Sequence, residues 1–260
     1  MVAVRCQQIY KSFGAPPRTS DVLAAIDCAV EEGEFVSLLG PSGCGKSTLL
    51  MMVAGLETVT RGRIYAGDRL VEAPLGDVGI VFQDPTLLPW RTTLANVLFP
   101  IDMRRRPCAA DVERARGLLE LVGLGHAAAA KPRQLSGGMR QRAAICRALV
   151  TDPRLLLMDE PFSALDAITR DDMSLVLLDV WERYRKTVLF VTHSIREAAL
   201  LSDRVLVLGG KPAGIIEDLR IPFARPRTGA LTTTHEFHDL CDHLHAQIHR
   251  AKALDPQALH

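Results

Sequence analysis

The chain has 260 residues, of which 48% are hydrophobic and 23% charged, with a formal net charge of +1. This is apolar material for one substantial α/β domain, or a core with a smaller inserted lobe, and it excludes a disordered chain; the balanced charge leaves no footprint for a nucleic-acid binder. No apolar run reaches the length of a membrane span and Met1–Arg5 opens no apolar leader, so a cytosolic chain is expected, and its six cysteines (Cys6, Cys28, Cys44, Cys108, Cys146, Cys241) form no Cys-x-x-Cys pair, so reduced thiols and no zinc knuckle are expected.

The first element legible by pattern is Phe35 to Leu39, a short continuous apolar run that reads as a strand buried on both faces. It feeds Gly40-Pro41-Ser42-Gly43-Cys44-Gly45-Lys46-Ser47-Thr48, which fits G-x-x-x-x-G-K-[ST]. The glycines let the backbone turn its N–H groups onto phosphate oxygens, and a helix starting near Lys46 adds its positive end. Lys46 is expected to reach the β- and γ-phosphates and Ser47 to ligate Mg²⁺. A P-loop alone does not separate kinases, GTPases and transport motors.

A second strand, Val78 to Phe82, delivers Gln83, whose amide can bond Mg²⁺ or water. From about Leu87 to Val150 the pattern turns helical, at Ala109 to Val122 and Gly138 to Leu149, with no strand between, and predicts a helical lobe inserted in the sheet domain. Leu155 to Met158 is apolar and ends in Asp159-Glu160. Carboxylates at the C-terminal edge of a buried strand suit a Mg²⁺ site: Asp159 as the metal's partner, Glu160 as the base that polarises the attacking water. Val188 to Val191 leads to His193, an imidazole able to bond a γ-phosphate, and Val205 to Leu208 supplies a further strand. Alternating strands and helices predict a mainly parallel sheet with crossover helices. Ile221 to Pro226 reads as a linker, and Phe237, Leu240, Cys241, Leu244 and Ile248 form one apolar helix stripe beyond it. No internal repeat appears, which excludes a tandem ATPase.

Leu135-Ser136-Gly137-Gly138-Met139, followed by Arg140-Gln141-Arg142, resembles the signature of the ABC ATPase family. Phe13, the P-loop, Gln83, the signature, Asp159-Glu160, Ser163-Ala164-Leu165-Asp166 and His193 stand in that family's order over most of the chain. The resemblance implies a P-loop NTPase core with an N-terminal antiparallel β portion and an inserted helical lobe, an ATPase domain over about 1–228 with the lobe at about 87–150, and a helical tail over 229–260. It implies ATP and Mg²⁺ as ligands. Phe13 would stack on adenine, Ser136, Gly137 and Gly138 would close over the ATP held by a second copy, and Asp166 would touch that copy. Met139 replaces the glutamine of many members and removes one polar contact.

The partners implied are a second ATPase copy, transmembrane permease subunits and, indirectly, an extracytoplasmic solute-binding protein, with the chain peripheral on the cytoplasmic face of the inner membrane. Leu88-Pro89-Trp90-Arg91 and the signature resemble the nitrate/sulfonate/taurine importer branch; related members serve other small solutes such as thiamine-precursor pyrimidines. The stretch from Asp84 to Trp90 is expected to dock a permease helix, against a bland reading of Trp90 as lobe core. A non-transport ABC ATPase would usually carry coiled coils, zinc modules or two cassettes, none of which the pattern contains. His235, His238, His243, His245 and His249 read as a polar helix face, although His245 and His249 have metal-ligand spacing, and Arg104-Arg105-Arg106 reads as a solvated run.

Overall fold

The computed structural model describes residues 1–14 and 19–254. In chain order its elements are β1 (Val2–Phe13), β2 (Ser20–Glu31), β3 (Phe35–Leu39), α1 (Lys46–Val53), β4 (Arg61–Ala66), β5 (Arg69–Leu70), β6 (Val78–Val81), α2 (Thr93–Val97), α3 (Phe99–Asp102), α4 (Ala109–Leu121), α5 (Gly137–Leu149), β7 (Leu155–Asp159), α6 (Ala167–Tyr184), β8 (Thr187–Thr192), α7 (Ile195–Leu201), β9 (Arg204–Gly209), β10 (Gly214–Arg220) and α8 (His235–Ala253). They fall into two compact units, one of residues 1–76 with those from Thr187 onward, the other of residues 77–186. The sequence-derived lobe of about 87–150 lies inside the second unit, which also takes β6, β7 and α6.

In the first unit β3 lies between β8 and β9 and is parallel to both, with Leu38 opposite Val191 and Leu206. All five β3 residues are buried, as its unbroken apolar run requires. β10 returns antiparallel on β9. A separate antiparallel sheet runs β2-β1-β4-β5. Its two long strands were not legible by alternation, and the cause is physical. The β1–β2 register shifts between Cys6 and Ile9, beside Gln8 and Ala25, whose φ values are 49° and 51°. Such bulges break the two-residue period.

Ile221 to Pro226 has no regular structure, but it is no free linker. Arg225 bonds Asp203 and the Leu201 carbonyl, and the buried Arg227 donates to the carbonyls of Leu200 (2.9 Å), Ser202 (2.7 Å) and Phe223 (3.0 Å). These arginines satisfy carbonyls that the end of α7 leaves open. α8 then packs on β9 and α7. Phe237, Leu244 and Ala251 are buried along its inner face, and Arg196 of α7 lies over the Phe237 ring.

In the second unit α5 is the central helix, packed by α2, α3, α4, α6 and β6. Its buried face is mostly small (Ala143, Ala144, Cys146, Ala148), so neighbours approach closely. A Cβ on Gly79 of β6 would stand 2.5 Å from the Ala148 carbonyl oxygen. α2 and α3 were not anticipated, being short and interrupted at Leu98, with Pro100 in the first turn of α3. Among the described residues no helix is long and apolar enough to cross a membrane. The chain is an α/β protein with an N-terminal antiparallel sheet and parallel strands in its core.

Candidate functional site

In the first unit, β3 aims the loop Gly40 to Gly45 at the first turn of α1. Gly43 and Gly45 take φ of 80° and 97°, a region that other residues rarely adopt. A Cβ at Gly40 would stand 2.6 Å from the Leu208 carbonyl oxygen. Lys46 is buried, and its ammonium arches back over the loop to the carbonyls of Gly40 (3.0 Å) and Pro41 (2.8 Å), with Cys44 Sγ at 4.0 Å. Ser42 and Ser47 are exposed, and Pro41, Cys44 and Thr48 half-buried.

Leu39, the last residue of β3, pairs with Thr192, the last of β8, so His193 emerges beside the loop's root, exposed. The turn that carries it is braced: Thr192 Oγ1 donates to the buried Glu197 carboxylate at 2.6 Å and accepts the Ser194 N–H at 2.9 Å, while Ser194 Oγ caps α7 by accepting the Glu197 N–H at 3.3 Å. Sequence reasoning missed Glu197, yet Ser194-x-x-Glu197 is a capping-box spacing that could have flagged it. Phe13 ends β1 as an exposed residue, and Lys11 Nζ lies over its ring, 4.5 Å from the centroid.

In the second unit β6 and β7 run parallel, Val81 opposite Met158. Their C-terminal ends set Gln83, exposed, near Asp159 and Glu160, both half-buried. Glu160 has φ of 43°. Ser136 caps α5 by accepting the Met139 N–H at 3.2 Å, so Gly137 and Gly138 form the helix's first turn. Asp166 caps α6, accepting from Thr169 N (3.0 Å) and Thr169 Oγ1 (2.7 Å); these bonds hold its carboxyl below the usual range.

The same α5 grips the Gln83 loop. Arg147 donates to the carbonyls of Pro85 (2.7 Å) and Thr86 (2.8 Å), and Gln141 Nε2 to that of Phe82 (3.4 Å). Nothing in the pattern pointed to Arg147, because its partners are two main-chain carbonyls and the Thr86 hydroxyl at 3.0 Å. Further along the loop, the buried Asn96 accepts the Leu88 N–H (2.7 Å) and donates to the carbonyls of Leu88 and Thr92, which leaves Trp90 69% exposed. The reading of Trp90 as lobe core is therefore wrong.

On α8, His245 and His249 meet edge to face at 4.5 Å and His243 bonds Glu217 at 2.8 Å; among the described residues no three His, Cys, Asp or Glu side chains are grouped to hold a metal. Arg104 to Arg106 are exposed, with Arg105 paired to Asp111.

The family model described as ABC transporter matches residues 23–163. An uncharacterized ABC transporter ATP-binding protein of Methanocaldococcus jannaschii is 45% identical over 226 residues, covering 87% of this chain and 85% of its own. The taurine import ATP-binding protein of Pseudomonas aeruginosa is 42% identical over 86% of each chain, and the nitrate import ATP-binding protein of Synechococcus elongatus 43% identical over 84% of this chain and 80% of its own. Among solved structures, a dimeric ATP-binding cassette in a post-hydrolysis state with ADP and Pi is similar at a TM-score of 0.73 and 32% identity, covering 85% of this chain and 100% of that one. With a braced P-loop, an acid pair closing a buried strand and a signature-led helix already in place, the chain belongs to the ABC transporter family as an ATP-binding, ATP-hydrolysing subunit.

Proposed function

We propose that this subunit drives import of a small solute of the nitrate/sulfonate/taurine class by closing as a homodimer around two ATP molecules. The observation that carries the motor reading is the build of α5. One rigid helix begins at Ser136, which would meet a second copy's ATP, and by Gln141 and Arg147 holds the Gln83 loop, whose exposed Trp90 offers a docking face for a permease helix. Closure over ATP would move that loop. The solute class rests on the taurine and nitrate import relatives; the permease and the solute-binding protein would be other chains, with this one on the cytoplasmic face of the inner membrane.

In this reading the backbone N–H groups of residues 40–48 and Lys46 cradle the phosphates, and Phe13 stacks on adenine. Ser47, Asp159 and Gln83 supply hard oxygens, the donors Mg²⁺ takes, and would hold that ion, which neutralises charge on the phosphates. Glu160 takes a proton from the water that attacks the γ-phosphorus as the bond to the bridging oxygen breaks, and His193 bonds the γ-phosphoryl oxygens. Asp166 would touch the second copy.

The test is the concentration dependence of turnover. Specific ATPase activity should rise with protein concentration, and MgATP should shift the Glu160→Gln variant from monomer to dimer in light scattering. A variant that stays monomeric at saturating ATP, with wild-type activity flat in concentration, would sink the proposal. A stable ATP-bound dimer that no permease of this solute class stimulates would overturn the importer assignment alone.

A further inference from the structure

We propose that Cys6 and Cys28 form a cross-strand dithiol that reduces low-molecular-weight disulfides, such as glutathione disulfide, and closes to an intramolecular disulfide. The two residues stand directly opposite each other on β1 and β2. Opposed residues on antiparallel strands have Cα atoms about 4.5 to 5.5 Å apart, which lies inside the window of about 4.4 to 6.8 Å that a disulfide spans. Cys6 is also paired on its other side with Ile64 of β4, so it lies between two strands just ahead of the shift toward Ile9.

The two thiols are not equivalent, and their differences set an order of events. Cys6 is 3% exposed, beyond the reach of a bulky reagent, whereas Cys28 is half-buried. The neighbouring thiol and its own burial push the Cys6 thiol up, and the same neighbour brings the Cys28 thiol below its ordinary range against the pull of burial. Arg204 adds positive charge near Cys28, anchored by its bond to the neighbouring Ala29 carbonyl at 2.9 Å and by Asp218; Asp27 and Asp218 oppose it, and the balance still lowers the Cys28 thiol. A reachable sulfur with thiolate character beside a buried one is the arrangement of an attacking and a resolving cysteine.

The chemistry closes without a further reagent. The Cys28 thiolate attacks one sulfur of R–S–S–R, forming Cys28–S–S–R and releasing RS⁻. Cys6 then gives up its proton and attacks the Cys28 sulfur, expelling the second RS⁻. The two protein thiols lose two electrons and two protons, and the small disulfide becomes two RSH.

The full-length chain should be incubated with glutathione disulfide, its remaining thiols blocked, and the product digested without reductant. The expected result is a peptide joining Cys6 to Cys28, an intact mass reduced by two hydrogens, and reversal by dithiothreitol. The Cys6→Ser variant should stop at a glutathione adduct on Cys28, and Cys28→Ser should leave Cys6 unmodified. Wild-type protein in which both remain free thiols, whatever adducts other cysteines gain, overturns the proposal, as does a crosslink that pairs either with another cysteine. The wild-type digest decides the matter even where a serine variant folds poorly.

Discussion

Glu160 sits at φ 43°, a backbone region costing a non-glycine residue about 1–2 kcal/mol. Ser163 holds it there, returning both its N–H (3.2 Å) and its hydroxyl (3.0 Å) to the Glu160 carbonyl. Strain of this kind persists where a side chain must be aimed. Glu160→Gln keeps shape and volume but removes the proton acceptor, so turnover should fall by about 10²- to 10⁴-fold with nucleotide affinity preserved; phosphate release and nucleotide titration measure the two. The acid pair itself was legible, because it closes an apolar strand. Its backbone strain was not, since glutamate carries no left-handed preference to betray it. Glu197 makes the complementary case. Its carboxylate holds the Thr192 hydroxyl that in turn receives the Ser194 N–H, one residue on from His193. Glu197→Ala should therefore lower kcat about 10-fold while the KM for ATP changes little, and Glu197→Gln, which keeps an acceptor oxygen, should restore most of it. Equal loss in both variants, or a rise in KM alone, would show that Glu197 only supports the fold. Cysteine labelling gives a third readout: Cys44 in the P-loop should be shielded from alkylation by MgATP, while Cys146, fully buried and with its thiol pushed up to about 12 by that burial, should stay unlabelled throughout.

Elements were legible in proportion to how far burial alone determined them. β3, β7, β8 and β9 are buried strands, and their unbroken apolar runs mark them within about one residue. α4 and α5 carry enough turns to show a period. β1 and β2 hide because their bulges shift the alternation, and α2 and α3 because they are too short to hold one. What fixes α2 is instead Asn96, a single buried amide bonded on both its oxygen and its nitrogen to the segment ahead of it. Asn96→Ala would leave the Leu88 N–H without its acceptor and take one bond each from the Leu88 and Thr92 carbonyls, which keep their backbone partners, at a cost of about 1–3 kcal/mol. Urea denaturation should register that loss. Limited proteolysis should find the Leu88 to Thr92 segment newly open while α5, held by its own packing, stays resistant. An unchanged cleavage pattern would mean that the segment is fixed by something other than Asn96.

At the scale of the whole molecule, the P-loop and the signature of one chain are proposed to serve different nucleotides. Ser136 is exposed and, as the cap of α5, has its backbone role satisfied within its own unit; the first turn behind it is a ready anion-binding end. This arrangement can be tested by complementation between two inactive chains. Lys46→Ala removes the phosphate-binding ammonium. Ser136→Asp retains a good helix cap, so α5 should survive, but sets a carboxylate where a γ-phosphate would lie. Each variant alone should form dimers with both sites spoiled. Mixed in equal amounts and allowed to exchange, half the dimers are heterodimers, in which one site collects both lesions and the other collects neither. ATPase activity should then reappear at up to about a quarter of the wild-type level, the share of intact composite sites expected from random pairing. If each site were built within one chain, every site in the mixture would keep a lesion and no activity would return.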